Sequence, residues 1–325
     1  MANPERPVSE YDRFGPWIDR VETEADVPRL FRPHGVDLAA ARLVLKVPRN
    51  VARRDASPDM DLYDHLLVLG RDSLTVLSRR GRDLPRGAQP GAGGGYDHAD
   101  IPLARIVAVR DTVNLLEGWL SIATDDGGEL TMRFNGSARA SVGLLTGALR
   151  AEFVRWGRGS VGRTLADAAP PGAVSLAALD AGGDLALGAD LREVSAAHPD
   201  VRAWACHARA RVAPGGTGMR GALRRVSHAL SPMVAQGCVL AGDSVALEVL
   251  GRHEALVRGS TPVHSASRLT VALGAVDGVD AAAHPDYPDV TVIALRAGAW
   301  SAPLAVPRES AVAAILTRAA AASRT

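Results

Sequence analysis

The hydrophobic period of the chain changes sharply between Gly118 and Trp156. In residues 118–124 and again in 129–134, apolar residues recur at every second position, which is the period of a strand with one buried face. The turn-forming run Asp-Asp-Gly-Gly separates these segments, so we expect a hairpin. From residue 142 onward the apolar residues stand three or four apart, which predicts an amphipathic helix with Ser137 as its N-cap. The chain therefore contains a sheet covered by a helix.

More short strands are predicted upstream of this hairpin. Apolar alternation marks residues 43–47, and further apolar runs occupy 66–69, 74–77, 101–103 and 106–109. A loop rich in glycine and proline separates two of these runs at residues 81–95. Six or seven short strands before a helix are typical of a small barrel or sandwich.

A fainter copy of this pattern follows in the C-terminal half. Asp72-Ser73-Leu74-Thr75 resembles Asp243-Ser244-Val245-Ala246, and Leu144-Leu145-Thr146 resembles Ile315-Leu316-Thr317, both at an offset of 171 residues. The run Pro-Asp-Tyr-Pro-Asp at 285–289 takes the place of the Asp-Asp-Gly-Gly turn. Each match is short, and chance similarity is the alternative. The shared order of elements favours an internal repeat.

The repeat predicts a mainly β protein with helices, of the α+β class. It would consist of two tandem antiparallel β-barrels or sandwiches, each closed by a C-terminal helix. The predicted parts are an irregular arm packed on the first barrel over residues 1–36, a first domain over 37–156, a Gly/Pro/Ala linker over 157–183, and a second domain over 184–325. The second domain would carry an inserted basic amphipathic helix over 219–230.

Composition restricts the classes of partner. The 37 basic and 36 acidic residues give a formal charge of +1, so no overall attraction to nucleic acid is expected. A single lysine beside abundant alanine and arginine is typical of a GC-rich bacterial genome. Cys206 and Cys238 lack metal-binding spacing and predict reduced thiols. With no signal peptide or membrane span in the sequence, we expect a cytoplasmic protein, with peripheral membrane association as an option.

Two groups of cations are candidate binding residues for an acidic partner or a phosphate group. The first follows the first predicted strand, and the second lies in the predicted basic helix. They are Lys46, Arg49, Arg53 and Arg54 in the first group, and Arg220, Arg224 and Arg225 in the second. Nearby aspartates at 55, 59 and 61 leave open the alternative of a self-neutralised, solvated loop.

The sequence contains only weak matches to catalytic or metal-binding motifs. Asp59, Asp61, Asp64 and His65 supply oxygen and imidazole ligands, but without the spacing of a dedicated metal site. Tyr63-Asp64-His65 and Tyr96-Asp97-His98 pair acid with base, although such tripeptides also mark strand ends. No nucleophile elbow, zinc-protease motif or phosphate loop is present in the sequence. We expect no cofactor, no metal and no catalysis; a metal-dependent hydrolase or transferase using the Asp59–His65 cluster is the remaining enzyme alternative.

The order of six or seven strands and a closing helix resembles the bacterial pleckstrin-homology-like (PH-like) domains. The resemblance covers about residues 37–156 and, more faintly, 184–322. It implies a binding or scaffolding protein, with a protein partner or self-association first and an anionic lipid second. Lipid-binding members place basic residues around the loop after the first strand, where Lys46, Arg49, Arg53 and Arg54 lie here. Their spacing departs from the eukaryotic phosphoinositide signature.

Overall fold

The computed structural model describes residues 9–82, 84, 87–157, 159–170, 174–177, 179, 184–215, 228, 230–259 and 264–322. The strands are β1 (Asp19–Arg20), β2 (Leu43–Pro48), β3 (Tyr63–Leu69), β4 (Ser73–Arg79), β5 (Gln89–Pro90), β6 (Tyr96–Pro102), β7 (Ile106–Asn114), β8 (Glu117–Thr124), β9 (Glu129–Asn135), β10 (Arg202–His207), β11 (Ala210–Val212), β12 (Met233–Ala235), β13 (Cys238–Gly242), β14 (Ala246–Gly251), β15 (Leu256–Arg258), β16 (Ser265–Ala272), β17 (Gly278–Ala283), β18 (Val290–Ala297) and β19 (Trp300–Pro307). The α-helices are α1 (Glu10–Arg13), α2 (Arg139–Glu152), α3 (Ser160–Ala168), α4 (Leu185–Ala197) and α5 (Ala311–Ala322).

The strands form four open antiparallel sheets. The N-terminal sheet has the order β1-β2-β3-β4-β6-β5, and the central sheet has the order β10-β13-β14-β16-β7-β8-β9. The C-terminal sheet is β17-β18-β19, and a small sheet is β11-β12-β15. Antiparallel sheets and a C-terminal helix are thus confirmed. No sheet closes on itself within the described ranges, so the expected closed barrels are not found.

The central sheet is built from both halves of the chain. β7 pairs with β16 from Ala108 opposite Val271 to Asn114 opposite Ser265. Each half therefore covers an edge strand that the other would leave unpaired. The largest apolar cluster likewise takes Val109 and Leu269 from opposite sides of the predicted linker. Pairing between the halves replaces closure within each half.

The predicted hairpin and helix are present. β8 and β9 pair around a turn at 125–128, with Leu120, Ile122 and Met132 buried. The N-cap predicted at Ser137 is wrong. A 3₁₀ turn at Gly136–Ala138 precedes α2, and the Asn135 side chain accepts the Ser137 backbone N–H at 3.0 Å. Asn135 thus caps the 3₁₀ turn in place of Ser137.

The same order of elements occurs twice. Strands β2, β3, β4 and β6 are followed by the meander β7-β8-β9 and by α2; strands β10, β13, β14 and β16 are followed by β17-β18-β19 and, after these, by α5. The predicted equivalence of residues 285–289 with the Asp-Asp-Gly-Gly turn is wrong by one hairpin. Residues 285–289 join the first two strands of their meander, and Gly298–Ala299 is the counterpart of 125–128.

The N-terminal arm lies on the outer face of the N-terminal sheet. The rings of Phe14 and Tyr63 meet edge-to-face with centroids 6.1 Å apart, and those of Phe31 and Tyr96 do so at 5.6 Å. All four side chains are buried in one apolar cluster. The arm therefore covers apolar surface that this sheet would otherwise expose.

Gly162 lets α3 approach the turn at Leu273–Ala275. A Cβ atom at position 162 would lie 1.9 Å from the Leu273 carbonyl oxygen, so Gly162→Ala must push the two elements apart. We expect this variant to lose about 1–3 kcal/mol of unfolding free energy in urea denaturation. Gly143→Ala in α2 is the matched control, because nothing lies within 4 Å of its added Cβ and helix propensity favours alanine. Equal stability of Gly162→Ala and the natural protein would contradict this packing.

Candidate functional site

The cations after β2 do not converge. Lys46 is buried, with its Nζ 5.2 Å from the Tyr63 ring centroid and 3.5 Å from the Asp26 carbonyl oxygen. Arg49 is half-buried at the end of the strand. An ammonium group buried beneath the N-terminal arm is not accessible to a ligand in solution.

Arg53 and Arg54 do not converge with Lys46 and Arg49 on a common binding site either. The Arg53 guanidinium donates to the carbonyl oxygen of Phe14 and to that of Asp12 at 3.4 Å, and it stacks 5.0 Å from the Tyr11 ring centroid. Arg53 thus fastens the N-terminal arm. Arg54 is largely exposed and lies 3.8 Å from the Asp55 carboxylate. Arg220, Arg224 and Arg225, with most of the predicted basic helix at 219–230, lie outside the described residues.

In the predicted acidic cluster, the alternation of side chains along β3 separates Asp64 from His65. Asp64 pairs with Arg79 at 2.9 Å and with Arg82 at 3.0 Å. His65, the next residue along the strand, places its Nδ1 2.7 Å from Ser78 Oγ. Successive side chains of a strand point to opposite faces, so these two neighbours do not share ligands.

The other two acids are also apart. Asp59 is exposed, and Asp61 lies 3.6 Å from Arg29. Within the part of the chain that the structure describes, no three His, Cys, Asp or Glu residues come together in the manner of a metal site.

The His65–Ser78 pair is enclosed. Burial lowers the pKa of His65 to about 4, so its imidazole is neutral near pH 7. Ser78 has no solvent-exposed surface. A substrate cannot reach a hydroxyl in this position, and the pair stabilises the N-terminal sheet.

A buried ion network joins α2 to the central sheet. Glu248 is fully buried and accepts hydrogen bonds from Arg150 Nε at 2.8 Å, from Arg268 at 2.9 and 3.0 Å, and from Thr270 Oγ1 at 2.7 Å. Arg150 also donates to Asp243 at 2.7 Å. These groups neutralise one another, so the network connects the two halves and leaves no charge for a ligand.

A cleft lies between the central sheet and β19. Two cavities of about 150 and 190 Å³ adjoin there and share Arg110, Leu269 and Pro303. Along their other side lies β19, which contributes every residue from Trp300 to Val306. Because consecutive strand residues point to alternate faces, this uninterrupted run shows that the edge of β19 borders the space. We call it the Arg110 cleft.

Within the described ranges, the Arg110 guanidinium has no salt-bridge partner. No hydrogen bond or ion pair of its side chain is found among the described residues, and Glu129, which lines the larger cavity together with Arg110, is the charge that acts on it. Burial lowers the pKa of the Arg110 guanidinium. An arginine remains protonated in proteins even so, and holding that charge away from water costs free energy that a bound anion would offset.

The remaining walls combine apolar surface with hydrogen-bond donors. Val249, Leu269 and Leu304 line the smaller cavity, and no carboxylate lines it. Arg252, whose side chain is buried and lies 3.4 Å from Asp184, and His253 also line this cavity. The His253 ring stacks on Trp119 with centroids 5.1 Å apart. An apolar cavity with a few converging polar groups is typical of a binding site.

Comparison of the chain with protein-family models, with curated proteins and with solved structures gave no match. None of the described helices is both long and apolar enough to cross a membrane. No pattern in the sequence distinguishes Arg110 from its neighbours, because its importance depends on β19, about 190 residues later.

Proposed function

We propose that this chain is a non-catalytic binding protein built from two PH-like units. The repeated order of four strands, a three-stranded meander and a helix supports this proposal. The burial of the His65–Ser78 pair and the separation of Asp59, Asp61 and Asp64 favour binding over catalysis. Both cysteines are free, which is consistent with a cytoplasmic location.

The partner we propose is an acidic, extended segment of another protein, held in the Arg110 cleft. The observation that carries this assignment is the Arg110 guanidinium, for which the described part of the chain offers no hydrogen bond or ion pair. The cleft follows β19 over seven residues, or about 20 Å of extended chain, which is too long for a single small anion. Its apolar walls would receive side chains on one face of the segment, while a carboxylate pairs with Arg110.

Side chains, more than backbone bonds, would hold this segment. A proline has no N–H to donate to a neighbouring strand. Pro303 and Pro307 therefore occupy positions of β19 whose backbone groups point away from β18. Two donors are therefore missing from the free edge. Prolines at such positions are a device against strand addition, so the specificity of the cleft would come from charge and apolar contact.

The test uses two fluorescein-labelled octapeptides, one alternating valine with glutamate and the other alternating valine with lysine. We expect fluorescence anisotropy to show binding of the acidic peptide alone, and Arg110→Gln to weaken that binding tenfold or more. Arg20→Gln is the matched control, because Arg20 is an exposed arginine on β1 of the N-terminal sheet, which does not line the cleft; the affinity of this variant should stay within twofold. Equal binding of both peptides, or of the natural protein and Arg110→Gln, would overturn the assignment.

A further inference from the structure

The central sheet ends in a strand with an open edge. Among the described residues, β9 pairs with β8 and with no other strand, and it is the last strand of that sheet. It runs for seven residues without a proline and without a shift of register. The strand at the opposite end of the sheet, β10, has an irregularity between Ala203 and Ala205, which is a device that protects an edge. β9 therefore offers a regular backbone to a further strand.

The hydrogen bonds between β8 and β9 show which backbone groups point outward. Thr124 N–H donates to the carbonyl oxygen of Gly128 at 2.9 Å, so this closing pair of the hairpin is a hydrogen-bonded pair. Such pairs alternate along an antiparallel ladder, and the even-numbered residues of β9 consequently bond to β8. Glu129, Thr131 and Arg133 direct their N–H and C=O groups to the open side, where no described backbone group meets them. We call these three residues the β9 edge.

The side chains of the β9 edge carry opposite charges at symmetric positions. Glu129 and Arg133 are both exposed, and each stands two residues from the exposed Thr131. Among the described residues neither charged side chain has an ion pair or a hydrogen bond. Charges of one sign would repel a second strand of the same sequence. A glutamate and an arginine at equal spacing make the strand complementary to itself when two copies run antiparallel.

We propose that β9 pairs antiparallel with β9 of a second copy of this chain, about a two-fold axis through Thr131. Glu129 of each copy would then lie opposite Arg133 of the other. The outward-facing residues would form three hydrogen-bonded pairs, each with two backbone hydrogen bonds. The two seven-stranded central sheets would become one sheet of twice that size. This dimer goes beyond the proposed binding of an acidic segment in the Arg110 cleft.

Charge selects this register among those that the backbone allows. A shift of two residues in either direction also places outward-facing residues opposite one another. Glu129 would then face Thr131 in one register and Asn135 in the other, so both Glu–Arg pairs would be lost. A second copy is the occupant that the sequence of the edge specifies, because each copy supplies one member of both pairs. Leu130 and Met132 on the inner face are already buried, so the pairing needs no rearrangement of the core.

The experiment is analytical ultracentrifugation of the full chain at concentrations from about 1 to 100 µM, where we expect a monomer–dimer equilibrium. Arg133→Glu and Glu129→Arg each place like charges opposite one another at both pairs, so each variant alone should raise the dissociation constant tenfold or more. An equal mixture of the two variants pairs Arg with Glu at both places, and its dissociation constant should return to within about threefold of the natural value. Arg202→Glu is the matched control. It changes an exposed arginine on β10, at the other end of the sheet, and should leave the dimer unchanged.

Crosslinking tests the position of the axis. Thr131→Cys would bring two cysteines opposite one another with Cα atoms about 5.5 Å apart, within reach of a disulfide. Ser121 lies opposite Thr131 on β8, so the two copies of Ser121→Cys would be roughly 14 Å apart, which is three strand spacings, and should not crosslink. Arg110→Gln should dimerise normally, which separates this proposal from that of the cleft. A natural protein that stays monomeric, a dimer that either charge variant leaves intact, a mixture that does not dimerise, or equal crosslinking of the two cysteine variants would each overturn the proposal.

Discussion

Replacing Glu248 by glutamine is expected to lower the free energy of unfolding by about 3–5 kcal/mol. The substitution keeps the size of the side chain but removes the negative charge that Arg150 and Arg268 share in a fully buried position. Two guanidinium groups would then stay buried with a single acid, Asp243, bonded to one of them. Urea denaturation followed by circular dichroism measures the change.

The control for this variant is Glu254→Gln, at an exposed position, which should change stability by no more than about 0.5 kcal/mol. Because Arg150 belongs to α2 and Glu248 to β14, we also expect one unfolding transition for both halves. A loss below 1 kcal/mol, or two separate transitions, would contradict the network as the connection between the halves.

Asp111→Asn is expected to stabilise the protein at neutral pH. Burial of Asp111 raises the pKa of its carboxyl to about 6, although Arg139 and Arg268 lower it in part. The folded state therefore binds more protons than the unfolded state between about pH 4 and pH 6, and stability falls as the pH rises through this window. Asparagine mimics the neutral acid, so the variant should gain roughly 2–3 kcal/mol above pH 6 and nothing below pH 4.

Urea denaturation at pH 4, 5, 6 and 7.5 measures this difference. Asp59→Asn, at an exposed position, should stay within about 0.5 kcal/mol of the natural protein at every pH. A gain that is constant with pH would show that the Asp111 carboxyl is not the titrating group. A loss at neutral pH would show that its attraction to Arg139, 3.9 Å away, outweighs the cost of burial.

The sequence predicts those parts of the fold that depend on neighbouring residues. The alternation in β8 and β9 and the stripe of α2 are local patterns, and the structure contains both elements. The pairing of β7 with β16 is not local: their paired residues are about 150 positions apart, and no periodicity encodes which strand lies beside which. For this reason the local patterns of the sequence predict closed barrels where the chain forms a shared sheet.

The candidate sites were harder to predict for the same reason. Lys46, Asp64 and His65 are candidate site residues because charged and metal-ligating residue types lie close together in the sequence there. The structure buries each of the three against a different partner. Arg110 has one charged neighbour in the sequence, Asp111, and is distinguished only by the absence of a salt-bridge partner among the described residues. Burial and pairing, which depend on distant parts of the chain, decide these cases.

The sheet that both halves share also limits how this protein can evolve. The two copies of a duplicated unit are ordinarily free to drift apart, each keeping its own interior. Here a change in β7 must suit the residue opposite it in β16, so the copies are bound to vary together along that seam. The Arg110 cleft lies on this seam, because Arg110 is opposite Leu269, so its lining is held to the same constraint, and diversification is left to the surfaces away from the seam.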